Sequence, residues 1–199
     1  MKLLGKLPID CYVAVSGGPD SIAAARFLSK RNPTILHVNH NTEFGNQAEI
    51  FVREQFENVI VHKIDSTKPK NKSWEEFWRD ERYKFFSQFN KPIILGHNLN
   101  DVAETYLFSA IHGIPKIIPY QNGNCIRPFL LTSKQELESY CQRHNHKYLI
   151  DPSNLTDEHA RGTIRNELMP LIESKLNKGF LKVIKRKVEK EYGRIETSD

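Results

Sequence analysis

Four short runs of β-forming residues mark the first half of the chain: Cys11–Val15, Thr34–Asn39, Asn58–Ile64 and Pro92–His97. Between them the apolar positions change to helical spacing over Ser21–Lys30, Gln47–Phe56 and Trp74–Phe89, the last with a stripe of Trp74, Phe77, Trp78, Phe85 and Phe89. Short apolar strands alternating with helices predict an α/β fold, a mainly parallel sheet with helices on both faces. Ligands of such sheets bind beyond the carboxyl ends of the strands, so the loops after Val15, Asn39 and His97 should share one rim. A further strand is expected at Cys125–Phe129, then a helix over Ser133–His144 that Thr132 or Ser133 can cap. Beyond Asp151 the pattern is helical only. This divides the chain into an α/β domain, residues 1–150, and a helical extension, 151–199, with Asp65–Ser73 reading as a loop.

Composition adds bounds. A length of 199 residues with 39% hydrophobic content suits one domain with a real core. No stretch approaches the ~20 apolar residues of a membrane span, and the first residues lack the apolar core of a signal peptide. The expectation is a soluble, cytoplasmic protein. Three well-separated cysteines, Cys11, Cys125 and Cys141, make no CxxC pair and read as buried thiols. The net charge of +5 is local: from Ser174 to Arg194 there are eight basic residues against Glu189 and Glu191, leaving 21 basic and 22 acidic elsewhere. Leu176, Phe180, Val183, Ile184 and Val188 recur there at helical spacing. The tail is thus a basic amphipathic helix, either a solvated helix packed by one face or a contact for RNA phosphates through Lys182, Lys185 and Arg186.

The most specific chemistry lies in Ser16-Gly17-Gly18-Pro19-Asp20-Ser21, between the first strand and the first helix. Two glycines let the backbone adopt φ > 0 and approach an anion with no Cβ in the way. Amides that then point outward, with the positive end of the following helix, form an anion nest. A plain turn with Asp20 as helix cap needs neither serine hydroxyl. The chain has no GxxxxGK[ST] and no GxGxxG. A cradle without its own lysine but with an aspartate suits a pyrophosphate held by amides, with a metal ion near the carboxylate.

Elsewhere, Asp101 and Glu104 share a helix face, where Asp101 as cap with Glu104 reaching back makes a capping box. His97 on the rim suits a nucleotide contact or a structural role. Arg79 and Arg82 lie on the polar side of the aromatic helix, open to surface ion pairs with Asp80 or Glu81.

The segment "SGGPDS", followed in order by "HVNHN", "WRDERY", "GHNLNDVAETYLF", "IRPFL", "DPSN" and "RGTIRNELMPLI", resembles the PP-loop family of N-type ATP pyrophosphatases, and within it the tRNA(Ile)-lysidine synthases, over residues 11–172. The resemblance implies a Rossmann-like, adenine nucleotide alpha hydrolase-like fold. It also implies an ATP-dependent carbon–nitrogen ligase that joins free lysine to carbon 2 of the wobble cytidine of tRNA(Ile) through an adenylated intermediate. By that resemblance ATP is held by Ser16, Gly17, Gly18, Pro19, Asp20, Ser21, Asn39 and His97. Asp20, Asp101, Glu104, Arg79 and Arg82 act in catalysis, and Asp20 with Asp101 binds magnesium. Arg127, Arg161 and Arg165 join the basic tail as RNA contacts, with a homodimer as a second source of grip on tRNA. An amide or amidine synthetase of the same superfamily, or a non-catalytic nucleotide- or tRNA-binding protein, are the alternatives; sulfur transfer is disfavoured by the missing CxxC.

Overall fold

The computed structural model describes residues 1–152, 160–193 and 197–198; Ser153, Asn154 and Arg194 lie outside the described residues. The N-terminal β1 (Leu3–Leu4) pairs antiparallel with β8 (Thr197–Ser198), a link between chain ends that no local pattern announces. The main sheet begins with β2 (Tyr12–Ala14), and Gly18 opens α1 (Pro19–Phe27). Then follow β3 (Thr34–Asn39), α2 (Glu43–Gln55), β4 (Val59–Lys63) and α3 (Trp74–Phe86). The remainder of the α/β part is β5 (Ile93–Ile94), α4 (Leu99–Ile111), the hairpin of β6 (Gln121–Asn122) and β7 (Cys125–Ile126), and α5 (Lys134–Arg143).

Six strands lie in the order β4-β3-β2-β5-β7-β6, parallel except for β6. The order reverses at β2. From there the chain crosses to β3 and β4 on one side, then returns to place β5 on the other. The loops leaving β2 and β5 therefore part from each other, and a crevice opens between them.

Side-chain alternation divides the sheet's two faces. Val13, Val15, Ile35 and Ile94 pack with Ile22, Ala23, Ala24, Val52, Leu137 and Cys141 of α1, α2 and α5. Leu36, Ile93 and Leu95 pack with Phe85 and Phe86 of α3 on the other face. The run Ala23-Ala24-Ala25 is fully buried, and its small side chains let α1 lie close to the sheet. All three cysteines are buried and free, as expected.

The helical extension contains α6 (Ala160–Thr163), a π-helical turn (Ile164–Leu168), α7 (Met169–Leu171), a second π-helical turn (Ile172–Leu176) and α8 (Phe180–Tyr192). Pro170 sits between the two wide turns, where its missing N–H interrupts the regular helical ladder. Ile164, Met169, Ile184 and Val188 close over Leu4, Leu99, Val102, Leu130 and Leu131, so α8 is seated on α4 by its apolar stripe.

Some expected boundaries shift. The strand foreseen at Pro92–His97 ends at Ile94, because the chain leaves the sheet to bring Gly96 against the backbone of α1. α2 starts four residues earlier than its apolar pattern, since the Thr42 hydroxyl accepts from the Gly45 amide at 3.0 Å. Of the two possible caps for α5, Ser133 is used, in a reciprocal box with Glu136.

Candidate functional site

The turn after β2 is shaped by its two serines. Ser16 donates its amide to Ser21 Oγ at 3.1 Å, the two hydroxyls lie 3.2 Å apart, and Ser21 Oγ donates to the Gly18 carbonyl at 3.0 Å. Gly17 has φ +97°, a conformation that L side chains rarely adopt. Its carbonyl accepts from Leu149 N at 2.9 Å, which ties the turn to the segment after α5. The first hydrogen bond of α1 runs from Ile22 N to Gly18 O. Helix geometry leaves the first-turn amides of Asp20 and Ser21 without intrahelical partners, so the turn presents donors and a positive helix end. Asp20 does not cap the helix; Gly18 stands at that position with no side-chain cap.

Across the crevice, α4 is capped one turn earlier than the sequence pattern implies. Asn98 Oδ1 accepts from Asn100 N and Asp101 N, and Asp101 Oδ2 accepts from Asn98 N at 2.9 Å. The box is Asn98 with Asp101, and Glu104 takes no part in it. The frame is decided by packing, since Leu99, Val102 and Ala103 must all face the core.

The Asp101 carboxylate lies near enough to Asp20 to act on its titration. Burial, then the Asp101 carboxylate, raises the Asp20 pKa to about 7. Burial also raises Asp101 to about 6, against the stabilising Asn98 amide and with a further push from Glu104. Asp20 Oδ1 is buried with no hydrogen-bond partner among the described residues. Two hard oxygen donors, one of them orphaned, fit a divalent cation such as magnesium. Among the described residues no group of three His, Cys, Asp or Glu could hold a metal, so such an ion would need further oxygens from a ligand or water.

Glu104 is only 4% exposed, and both its oxygens are engaged. Arg161 Nη1 donates to Oε1 at 2.9 Å, and Arg165 Nε and Nη2 reach Oε2 at 2.9 and 2.7 Å. Glu104, expected in catalysis, and Arg161 and Arg165, expected as RNA contacts, are brought together here in one ion cluster. Arg161 also lies 3.4 Å from Glu75 of α3 and over the Phe108 ring.

A second cluster is basic. Arg127, expected on an RNA-facing surface, is 2% exposed and braces the interior, donating to the Pro119 carbonyl and Tyr83 Oη at 2.7 Å each. Arg82 is half-buried beside it, whereas Arg79 is exposed and lies over the Tyr83 ring. His97 sits against this cluster. Burial, then Arg127, Arg82 and Arg79, hold its pKa at about 3, so the ring is neutral, and its buried Nδ1 has no partner among the described residues.

Asn39 is occupied elsewhere: its amide donates to Asn46 Oδ1 and Glu49 Oε2, and its oxygen accepts from Asn41 N. It therefore shapes the loop after β3, with both amide hydrogens committed there. Lys182 and Arg186 are exposed on α8, while Lys185 is half-buried and faces Glu136. The sequence reading missed Lys134 and Glu138 of α5, both of which act on Asp20. That α5 follows the strand next to β5 was the available signal.

The PP-loop domain family matches residues 7–172. The chain belongs to that family. The matched span contains the glycine turn, the neighbouring aspartates and the Glu104 cluster, and stops short of α8. Among relatives, the tRNA(Ile)-lysidine synthase of Clostridium perfringens is 34% identical over 87% of this chain and 42% of its own length. That of Francisella philomiragia is 29% identical over 86% of this chain and 48% of its own. The chain thus spans less than half the length of these relatives. The solved structure of the U34-tRNA thiolase NcsA from Methanococcus maripaludis, with its 4Fe-4S cluster, superposes with a TM-score of 0.68 at 19% identity, covering 97% of this chain and 74% of that one. This last likeness shows the fold alone, a PP-loop domain of Rossmann-like type.

Proposed function

We propose that this PP-loop protein uses ATP to join free lysine to carbon 2 of the wobble cytidine of tRNA(Ile), as the names of its lysidine synthase relatives indicate for those proteins. The observation that carries the reading is the pairing, at one topological switch point, of an amide-rich turn around Gly17 with two neighbouring carboxylates of raised pKa. ATP would adenylate the oxygen on carbon 2, with pyrophosphate leaving; attack by the lysine ε-amine would then release AMP.

In this scheme the Asp20 and Ser21 amides and the α1 N-terminus bind the departing pyrophosphate. Arg82, with Arg79 at the mouth, stabilises charge on the phosphate as the adenylyl group moves. His97 stays neutral and offers its unpartnered Nδ1 to the nucleotide. Asp20 and Asp101 would hold magnesium, which when bound supplies charge neutralisation for the phosphates. Of the two acids on α4, only Asp101 keeps its carboxylate unengaged by an arginine, so it is the one left to hold the lysine ammonium or a water that takes its proton. The target base must leave its stack to enter the crevice, which an anticodon loop permits.

The test follows labelled ATP with tRNA(Ile) and lysine added separately and together. AMP release that requires both is the expected result, abolished in Asp20→Asn. Release that needs neither RNA nor lysine would overturn the assignment.

A further inference from the structure

Both tryptophans of the chain lie on the first two turns of α3, and the reactions assigned above use neither. Trp74 is 55% exposed. Its ring lies 5.4 Å from that of Trp78, tilted by 32°, and Trp78 stacks on His40 at 4.9 Å with the planes only 4° apart. The three rings form a continuous stack that ends at the open Trp74. Folding has no need of that exposure, because Phe77, Phe85 and Phe86 of the same helix already supply its buried contact with the sheet.

The stack adjoins the acidic site. The guanidinium of Arg161 touches Glu75, next to Trp74, at 3.4 Å, and Glu104 at 2.9 Å, so a single side chain spans the interval. His40 follows β3 on the ligand-binding rim, close enough to Arg82 and Asp151 for both to act on its titration. A cation borders the stack, with Lys68 Nζ 5.4 Å from the Trp74 ring.

We propose that Trp74, Trp78 and His40 form a stacking platform for an unstacked base of the RNA substrate, next to the reacting nucleotide. Aromatic faces accept any base, and the bordering Lys68 suits a phosphate beside it, which favours a polynucleotide over the adenine of ATP. Neutral His40, with a pKa near 4, continues the stack without adding charge. The proposal rests on the RNA-ligase reading above.

The chain's tryptophan fluorescence reports only this platform. Titrating the full chain with an anticodon stem-loop of tRNA(Ile) should quench it, whereas ATP alone should leave it unchanged. Trp74→Leu should weaken stem-loop binding by about 5- to 150-fold with ATP binding intact, and Trp74→Phe should recover most of the loss. Quenching by ATP alone overturns the proposal in favour of an adenine site. Unchanged fluorescence alongside AMP release that needs tRNA and lysine removes the platform and leaves the ligase reading standing; if AMP release is absent as well, both fall.

Discussion

Replacing Glu104 by Gln asks whether this acid is a structural keystone or a reactive base. The substitution keeps the shape but removes the charge that Arg161 and Arg165 share. Glu104 is almost fully buried, yet the two arginine side chains are 34% and 39% exposed, so each can recover water when its partner is lost. A fully buried broken pair costs ~3–5 kcal/mol and an exposed one ~0–1 kcal/mol. The mixed exposure here, with three charge-assisted contacts onto one carboxylate, places the cost at about 2–3 kcal/mol. Equilibrium urea unfolding measures it, and Arg161→Ala should cost less because Arg165 still holds Oε2. If Glu104→Gln unfolds at the wild-type urea concentration, the clamp is not what organises α6 against α4.

Three further outcomes are expected. In the metal-free protein Asp20→Asn should be stabilising above pH 7: the folded pKa near 7 exceeds the ordinary carboxylate value, so wild type loses stability as pH rises from ~4 to ~7. Thermal melts at pH 5 and 8 should show the variant's advantage growing to about 1–3 kcal/mol, after discounting ~1.4 kcal/mol per pKa unit for partial exposure, and magnesium should restore wild type alone; an advantage independent of pH refutes the neighbouring carboxylates. Changing Lys182, Arg186 and Lys190 to Gln should flatten the log–log salt dependence of tRNA affinity by about 2–3, at ~0.7–0.9 per phosphate contact, and an unchanged slope excludes the α8 face from RNA binding. Gly96→Ala would place a Cβ 3.0 Å from the Asp20 carbonyl carbon and oxygen, costing about 1–3 kcal/mol and displacing Asp20; unaltered AMP formation would show that Asp20 tolerates movement.

Sequence alone located most of the scaffold where the signal was local. Thr34–Asn39 forms its strand residue for residue, a short apolar run buried on both faces and bounded by turn residues. The Gly123-Asn124 pair was a readable turn signal for the β6–β7 hairpin and was passed over, since its strands are too short to show alternation. The α4 cap was misframed because Asn98-x-x-Asp101 and Asp101-x-x-Glu104 are both valid boxes, and only tertiary burial of Leu99 and Val102 selects between them. Arg127 was recognisable as a cation but not as a buried one. Its partners Tyr83 and Pro119 lie 44 and 8 residues away, and no window of local sequence joins them.

The charges of the crevice divide its labour more sharply than any single residue does. On the α4 side, Glu104 has two arginines for one carboxylate, while Asp20 and Asp101 lie near each other with only the remote influence of Lys134 and Arg165. That wall is therefore short of one cation at the two aspartates alone. The second cluster gathers Arg79, Arg82 and Arg127 around a histidine that burial, then these charges, keep neutral, and it is short of an anion. A group that brings a divalent cation to that wall and polyphosphate charge to the second cluster satisfies both deficits at once, which neither a lone metal nor a lone anion would do. A nucleoside triphosphate with its counter-ion is such a group. The Glu104 clamp then has a reason to be complete: with its charge already cancelled, it leaves the cation to Asp20 and Asp101 among the described residues of the crevice.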